Sequence, residues 1–463
     1  MKSAVSWTRR LACAALGLLW FAIITARPMP AQIGYNAVCT STTGCSTTSS
    51  SSAFIDAGQY TASTICAKIF TALQTAPSGA VIDARGISAT LSCNSASTDT
   101  PWQQGTTTIN KPSTVLLPAA TIIISYGWVL PDRTRVAGEG NNPSNGTKIQ
   151  AASGFSGTMI QMGSSACTSG QCYGVSVEDL ILEGNGQTVN GIVNQNSGES
   201  SYVDHVNFHQ VEGTCIQVSG TQAQYSGPYS NLACGAGSSF NSNTRCFELS
   251  ASSTRGVHGM TCTTCGGCTT KPCCSQIPGP AISLDGSHNT LEDIHFEGYQ
   301  DGILVGSNTS SQGNSILSVN GGAGANSIEN VIHISSVNQV TDLSIVGATA
   351  SVSGGPMVNV TNVIQDDPNN TTIPRNSSPN ETTVAEYVIG DTIGGGFSRF
   401  ATVPVRTSAA APTPLPVWGA GGNTPTGSCP PGSLFSNTSA TGTSLNPLYK
   451  CVTGTGWAMV TVH

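Results

Sequence analysis

The chain has 463 residues, of which only 9% are charged, and its formal net charge is −7 at neutral pH. This acidic balance argues against a nucleic-acid partner, because binding to phosphates requires clustered Lys and Arg. The 53 glycines and the many Ser, Thr and Asn residues are typical of tight turns. Apolar residues at regular positions between those turns argue against disorder.

The N-terminus has the pattern of an export signal. Arg9 and Arg10 precede an apolar run, and small residues follow near Ala26 and Ala31. We expect a signal peptide over 1–31, then a low-complexity leader over 32–58. A retained membrane anchor is the alternative, although the run only marginally approaches spanning length. This signal predicts a secreted or cell-surface protein without a membrane span after cleavage. Removing the four basic residues of 1–31 leaves 13 of the 17 against 24 acidic residues.

Two short apolar motifs alternate through the middle of the chain. The first series comprises RVAGEG at Arg135, LILEG at Leu180, VNFHQ at Val206, LACGA at Leu232, MTCTT at Met260, IHFEG at Ile294, ILSVN at Ile316 and LSIVG at Leu343. The second comprises MIQMGS at Met159, GIVNQN at Gly191, CIQVSG at Cys215, CFELSA at Cys246, AISLDG at Ala281, GILVGS at Gly302, VIHISS at Val331 and MVNVTN at Met357. From Leu180 the first series advances by 26, 26, 28, 34, 22 and 27 residues, a period typical of stacked repeats.

The motifs predict an all-β fold, a parallel β-helix. Apolar and polar residues alternate within each motif as on a strand with one buried face, and Gly or Asn follows where the chain turns. No helical pattern lies between the motifs, so equivalent strands must pair directly in parallel, and the connection rule predicts right-handed winding. The predicted inward ladders are Leu182, Phe208, Cys234, Cys262 and Phe296, and Leu180, Val206, Leu232, Met260 and Ile294.

Cysteine usage favours disulfides. Sixteen of the 17 cysteines follow the predicted signal peptide, and an even number in an oxidising compartment is typical of paired thiols. Cys167 and Cys172 flank a short loop that a disulfide could close. Cys215 and Cys246 hold equivalent places in successive coils, where they either bridge or stack. A cluster has zinc-like spacings, but we favour a disulfide-tied loop over a zinc site; its members are Cys262, Cys265, Cys268, Cys273 and Cys274.

The coil pattern resembles the pectate lyase superfamily of secreted right-handed β-helix proteins, over 59–395. The resemblance includes the usual opening of that family, a short helix that caps the open end, here ICAKIFTALQTAPSG from Ile65. The cap is fairly specific, whereas the coils indicate a fold that many activities share. The polygalacturonase motifs are missing, since Asp366 and Asp367 fall outside the predicted coils, and so is the arginine motif of pectate lyases.

The composition changes after the last coil. A Pro- and Gly-rich linker over 396–426 precedes a module over 427–463 that resembles the small β-hairpin modules of secreted or fibre-like proteins. We expect Cys429 and Cys451 to join its short strands. The VAEYVIGDTIGGGFSRF segment before the linker is interpreted as closing strands.

Candidate site residues are the outward positions beside the first series. These positions are Asp179, Ile181, Glu183, His205, Asn207, His209, Asn231, Ala233, Thr261, Asp293, His295 and Glu297. Strands about 4.8 Å apart bring Asp179 near His205 and Glu183 near His209, and a carboxylate beside a histidine supports acid/base chemistry. The catalytic candidates are Asp179, Glu183, His205, His209, Asp293, His295 and Glu297. Asp179 and Glu183 are too far apart for a glycosidase pair, about 13 Å along one strand.

Two functions fit these observations. The first is a secreted enzyme that acts on polysaccharide, a glycoside hydrolase rather than a lyase, because a polyanionic substrate would need basic residues or bridging cations. The second is a non-catalytic glycan-binding or adhesion protein of the cell surface or of a fibre. No cofactor is predicted, and calcium and oligomer formation are left open. A carboxylate pair in a cleft favours the enzyme, whereas a flat Thr- and Asn-lined face favours the binder.

Overall fold

A computed structural model describes most of the chain from Ala53 onward. The predicted signal peptide, nearly all of the leader, and the loop with Cys265, Cys268, Cys273 and Cys274 lie outside the described residues. The described ranges are 53–88, 91–93, 98–167, 170–235, 244–263, 279–323, 328–352, 360–367, 371–374, 382–384, 386–389, 399–402, 418–421, 434–437, 448–452 and 456–460.

Nearly all regular structure in these ranges is β-strand. The exceptions are helix α1 (Ile65–Thr75) and the 3-10 turns Ala57–Gln59 and Thr221–Ala223. The strands are β1 (Phe54–Asp56), β2 (Ala80–Asp83), β3 (Leu91–Cys93), β4 (Gln103–Gln104), β5 (Thr107–Thr108), β6 (Ser113–Leu116), β7 (Thr121–Ile124), β8 (Trp128–Leu130), β9 (Thr134–Ala137), β10 (Lys148–Ala151), β11 (Gly157–Met162), β12 (Ser176–Glu183), β13 (Val189–Asn194), β14 (Tyr202–His209), β15 (Thr214–Val218), β16 (Tyr229–Gly235), β17 (Arg245–Leu249), β18 (Val257–Thr263), β19 (Ile282–Leu284), β20 (Thr290–Glu297), β21 (Asp301–Val305), β22 (Ser311–Gln312), β23 (Ser315–Ala323), β24 (Ile328–Ile334), β25 (Val340–Thr341), β26 (Leu343–Val346), β27 (Ala348–Val352), β28 (Val360–Asp366), β29 (Thr371–Pro374), β30 (Thr382–Val384), β31 (Glu386–Ile389), β32 (Arg399–Thr402), β33 (Trp418–Gly421), β34 (Leu434–Asn437), β35 (Leu448–Val452) and β36 (Gly456–Met459).

The chain forms a parallel β-helix of about nine turns, as the motifs predicted. Its strands alternate between two long sheets. The ten-stranded sheet runs in the order β8, β11, β13, β15, β17, β19, β21, β24, β28, β29, and all its pairs are parallel except the last. The eighteen-stranded sheet contains the strands of the first motif series. Each coil therefore satisfies its backbone hydrogen bonds through the coils above and below it.

The interior consists of the predicted ladders. Leu182 pairs with Phe208, and the column continues through Cys234 and Cys262 to Phe296. All members are buried, as are Leu180 and its equivalents. Because side chains alternate across a strand, a slip of one residue would turn a whole ladder outward, and the apolar pattern therefore holds the register.

The long strands of the eighteen-stranded sheet bend at one recurrent position. Its residues have a left-handed backbone with φ between 52° and 65°, and they are Asp179, His205, Asn231, Gly259, Asp293 and Ser318. Each lies between two stretches of regular parallel pairing. The left-handed residue resets the alternation, so Val177 and Leu180, three residues apart, both point inward.

The bend also corrects one predicted equivalence. Ile316 pairs with Leu291, and the equivalent of Ile294 is Val319, three residues later. In each strand the inward residues before and after the bend are both apolar, here Ile316 and Val319. The sequence alone therefore allows either of them to be aligned with Ile294. In the second series Met357 lies outside the described residues, and the last coil instead pairs Ile332 with Ile364.

The predicted cap helix is present at the N-terminal end. Thr64 is its N-cap, and its hydroxyl accepts a hydrogen bond from the Ala67 amide at 3.0 Å. The buried side of α1 packs on β2 and β3. A disulfide between Cys66 and Cys93 joins the helix to β3.

Two further disulfides lie within the coils. Cys167–Cys172 closes the short loop as predicted. Cys215 does not bridge to Cys246; the two lie in neighbouring strands, and Cys215 bonds instead to Cys234 across the interior. Cys246 and Cys262 are buried thiols.

The C-terminal part contains antiparallel strands. The segment interpreted as closing strands forms β30, β31 and β32, which extend the eighteen-stranded sheet. Strands β33 to β36 form a separate four-stranded sheet, and β33 lies within the predicted linker. Cys451 is disulfide-bonded, whereas Cys429 lies outside the described residues. Among the described residues no helix is long and apolar enough to cross a membrane.

The close packing of Phe296 predicts a strict requirement for glycine at position 302. A Cβ added to Gly302 would overlap the Phe296 ring and the Val331 carbonyl oxygen. Gly302→Ala should therefore lower the free energy of unfolding by about 1–3 kcal/mol, measured by urea denaturation. Gly86→Ala is the matched control, because nothing lies within 4 Å of its added Cβ. Equal midpoints for the two variants would contradict the packing described here.

Candidate functional site

The outer side of the ten-stranded sheet carries aligned polar side chains, and we call it the polar face. In-register pairing places its outward residues in two columns. The first column is Gln161, Val193, Gln217, Glu248, Ser283, Leu304, His333 and Gln365. Val193 and Leu304 interrupt its polar character, and Ser283 is buried. The second contains the register pairs Thr158 with Asn190, Thr214 with Arg245, and Asp301 with Asn330 and then Asn362. The columns repeat every coil, about 4.8 Å.

One cleft on the polar face has a volume of about 300 Å³, and we call it the Asp301 cleft. It is lined by Gln300, Asp301, Asn330, His333, Asn362, Gln365 and Asp367. A chain of amides organises one wall: Asn362 donates to Asn330 at 2.9 Å, and Asn330 donates to the Asp301 carboxylate at 2.7 Å. The residues come from three successive coils, so the cleft exists only when those coils stack in register.

His333 lies between two carboxylates in this cleft. Its Nδ1 is 3.0 Å from Asp301 Oδ2, and its Nε2 is 2.9 Å from Asp367 Oδ2. Since both carboxylates bond to the same ring, these two oxygens lie at most about 8 Å apart, a limit that admits both the retaining spacing of about 5–5.5 Å and the lower part of the inverting range of about 6.5–9.5 Å. The sequence predicted no such pair.

The two carboxylates determine the charge of His333. The hydrogen bond with Asp301 is the main cause that raises the pKa of His333, to about 9; burial opposes it and Asp367 adds to it. Burial raises the pKa of Asp367, but hydrogen bonds from His333 and Gln365 outweigh that effect and lower it below the ordinary value. At neutral pH the imidazole is therefore protonated and donates from both nitrogens, while Asp367 is ionised.

A second cleft of about 290 Å³ lies further toward the N-terminal end of the same face, and we call it the Arg245 cleft. It is lined by Thr188, Asn190, Glu212, Gly213, Thr214, Gln217, Arg245 and Glu248. Glu248 accepts from Arg245 at 3.2 Å and from Gln217 at 3.1 Å. From Glu248 to His333 the first column advances three coils, about 14 Å, so both clefts lie along one line parallel to the helix axis.

The pairing predicted for Glu183 and His209 is present on the eighteen-stranded sheet. His209 Nδ1 lies 2.7 Å from Glu183 Oε2, and Lys148 Nζ lies 3.9 Å from the same oxygen. The other oxygen of Glu183 accepts from the Asn185 amide at 3.1 Å, within the following turn. This carboxylate therefore holds a turn as well as the histidine.

Asp179 and His205 lie in adjacent coils at the bend, but His205 hydrogen-bonds to Asp204 rather than to Asp179. His205 Nδ1 bonds to Asp204 Oδ2 at 2.7 Å, and Asp204 also accepts from Ser230 and Asn231. Burial raises the pKa of Asp204, yet these hydrogen bonds outweigh it and lower the pKa. Burial raises the pKa of Asp179, and the charge of His205 partly opposes that change.

The remaining predicted site residues, Asp293, His295 and Glu297, lie on β20. Asp293 is exposed at the bend, and His295 Nε2 bonds to Glu297 Oε1 at 3.1 Å along the same strand. Ile181 lies in the outward register, as the sequence predicted, but it is buried, with 1% of its surface exposed, so it is not accessible to a ligand. It lies between Lys148 and Asn207 in the neighbouring coils.

The polar face was not predicted from the sequence, because the candidate residues were the outward positions beside the first series alone. The third letters of CFELSA and VIHISS are Glu248 and His333, so the second series contained the signal. The prediction that Asp366 lies outside the coils is wrong, because Asp366 is the last residue of β28 and pairs with Ile334 of β24. Asp367 follows directly and reaches His333.

Metal ligands are not grouped in the part of the chain that the structure describes. No set of three or more His, Cys, Asp or Glu side chains there is placed to hold a metal ion. The cysteine cluster with zinc-like spacing, apart from Cys262, lies outside the described residues.

Comparisons with known proteins return structural similarities at low sequence identity. No protein-family model matches the chain, and no curated protein does. ORF18 of Geobacillus virus E2 is similar in structure, with 13% identity, a TM-score of 0.30, and coverage of 89% of this chain and 86% of that one. The A-module of the mannuronan C-5 epimerase AlgE4 of Azotobacter vinelandii is similar with 14% identity, a TM-score of 0.25, and coverage of 54% and 91%.

The raised pKa of His333 predicts a pH dependence of stability. An unfolded histidine has a pKa of about 6.5, so the folded state binds the proton more tightly. The resulting stabilisation, at most about 3 kcal/mol, is fully present below about pH 6.5 and is lost as pH rises through about 9. Urea denaturation across this range should show the loss.

Two variants test whether this pH dependence comes from the Asp301 cleft. His333→Gln removes the titrating group, and Asp301→Asn removes the main cause of its pKa shift. Both should flatten the decline of stability between about pH 6.5 and 9. An unchanged decline in both variants would contradict the charge assigned to His333.

Proposed function

We propose that this protein binds a linear polysaccharide along the polar face and hydrolyses it at the Asp301 cleft. The single observation that supports the proposal best is the pair of carboxylates, Asp301 and Asp367, held on either side of His333 within a cleft. Glycoside hydrolysis uses two carboxyl groups, and the upper limit on their separation here admits the inverting spacing.

The polar face suits a sugar polymer. Amide side chains such as Gln217, Asn330 and Asn362 offer both donors and acceptors, as vicinal hydroxyl groups require. The coil spacing of about 4.8 Å is close to the length of one sugar unit, so successive units would meet successive coils. From Gln217 to Gln365 the first column advances five coils, about 24 Å.

The chemistry would divide between the two aspartates. Asp367 is ionised and more exposed than Asp301, so it would act as the general base that activates water. The proton for the leaving oxygen would come from the His333 imidazolium: Nδ1 would transfer it to Asp301, and Asp301 would pass it to the leaving oxygen. Asp367 would take a proton from the attacking water, and after product release Asp367 would lose that proton to solvent and His333 would regain one from it. The net negative charge of the chain favours a neutral glycan over a polyanionic one.

A non-catalytic glycan-binding protein is the second candidate. The observation that supports it is that His333 hydrogen-bonds to both carboxylates, so a substrate would have to displace His333 before it could contact those two carboxylate oxygens. An imidazolium fixed between two carboxylates is a binding element as much as a catalytic one. Export would suit both candidates, and the disulfides Cys66–Cys93, Cys167–Cys172 and Cys215–Cys234 are typical of oxidising compartments.

Product release from a panel of neutral and charged polysaccharides tests the proposal. Asp301→Asn and Asp367→Asn should each lower the rate of oligosaccharide release by about 10²- to 10⁴-fold. Glu292→Gln is the matched control, since this exposed carboxylate lies on the eighteen-stranded sheet. Circular dichroism of each variant verifies that it is folded.

The same panel separates the alternatives. Loss of release in Glu183→Gln but not in Asp301→Asn would overturn the assignment and return the site to the Glu183–His209 pair. A polysaccharide that is retained by the protein without release of products would establish the binding function instead. Neither retention nor release from any polysaccharide of the panel would count against both.

A further inference from the structure

Four cysteines form two stacked pairs in the middle of the β-helix. Cys215 and Cys234 make a disulfide that crosses the interior, from β15 of the ten-stranded sheet to β16 of the eighteen-stranded sheet. In the next coil Cys246 lies in β17 and Cys262 in β18, and both are buried thiols.

The register makes the second pair equivalent to the first. Thr214 pairs with Arg245 and Ile216 with Phe247, so Cys246 lies beside Cys215. On the other sheet Cys234 pairs directly with Cys262. Both cysteines of the second pair are thus displaced by the same single coil step from those of the first.

Equal displacement implies an equal distance across the interior. The Cα atoms of Cys215 and Cys234 are 6.4 Å apart, so those of Cys246 and Cys262 should be separated by about the same distance, within the disulfide range of about 4.4–6.8 Å. The two thiols also interact directly through a hydrogen bond, which adds to burial in raising the pKa of Cys262. The Tyr299 hydroxyl lies 3.1 Å from Cys246 Sγ.

We propose that Cys246 and Cys262 form a second disulfide across the interior, stacked on Cys215–Cys234. The oxidant is an external disulfide, here called the disulfide donor. Each cysteine thiol loses a proton and the pair transfers two electrons to that disulfide, which is reduced to two thiols as the Cys246–Cys262 bond forms. The donor class is a small-molecule or protein disulfide of the compartment in which the chain folds.

Burial determines when this bond can form. Cys246 and Cys262 are both 0% exposed in the folded chain, and burial raises the pKa of the Cys262 thiol, which disfavours the thiolate that attacks a disulfide. The bond should therefore form before the coils close, while the donor still has access. Cys246 directly follows Arg245, so the second bond would brace the strand that carries the Arg245 cleft.

Disulfide mapping of the full chain tests this proposal. The chain is folded with oxidised glutathione, then denatured in iodoacetamide without reductant and digested with trypsin. Cleavage after Arg245 and Arg255 isolates a peptide whose only cysteine is Cys246. We expect this peptide to be cross-linked to the one that contains Cys262, with no alkylated Cys246. An alkylated Cys246 in the wild-type chain would overturn the proposal.

A variant pair identifies the partner, because the peptide with Cys262 contains other cysteines as well. Cys262→Ser should convert Cys246 from cross-linked to alkylated, whereas the matched change Cys265→Ser should leave it cross-linked. The reverse result would assign Cys246 to a different partner and overturn the proposal. Circular dichroism of each variant verifies that it has folded.

Discussion

In-register parallel stacking of the coils is the constraint on which the rest of this structure depends. Each strand satisfies its backbone hydrogen bonds only through equivalent strands in the neighbouring coils. A residue position is consequently repeated as a column along the helix. Inward columns form the core from Leu182 to Phe296, and the bend column from Asp179 to Ser318 turns every coil at the same place. The same rule assembles the polar face.

The polar face illustrates how stacking creates chemistry that no single coil contains. Asp301, His333 and Asp367 belong to three different coils, yet their side chains lie within hydrogen-bond distance. The hydrogen bonds with the two carboxylates raise the pKa of His333 and keep it protonated. The hydrogen bonds from His333 and Gln365 keep Asp367 ionised, although its burial opposes ionisation. A change of register in this part of the helix would separate the three groups and remove the cleft.

The sequence predicted what depends on local periodicity. Parallel coils, the inward ladders, the cap helix from Ile65 and the short-range Cys167–Cys172 bond all follow from spacing along the chain. The Cys215–Cys234 bond did not follow, because its two cysteines lie on different sheets and meet only across the interior. The left-handed bend also hid the true register at Ile316, since apolar residues three apart both point inward.

The candidate site was less predictable than the fold for a related reason. The Glu183–His209 contact lies between adjacent strands of one series, so counting residues was enough to find it. Asp301 and Asp367 converge on His333 from a strand start and a strand end, positions that lie outside the repeating motif. Their approach to His333 depends on the path of the chain at the start of β21 and after the end of β28, rather than on the alternation of side chains along a strand.

The measurement that tests the account most directly is a crystal structure of the protein with a bound oligosaccharide from the polysaccharide that it retains or cleaves. We predict sugar units along the ten-stranded sheet, with hydroxyl groups in contact with Asp301, His333 and Asp367. Density for the sugar on the eighteen-stranded sheet, beside Glu183 and His209, would contradict it.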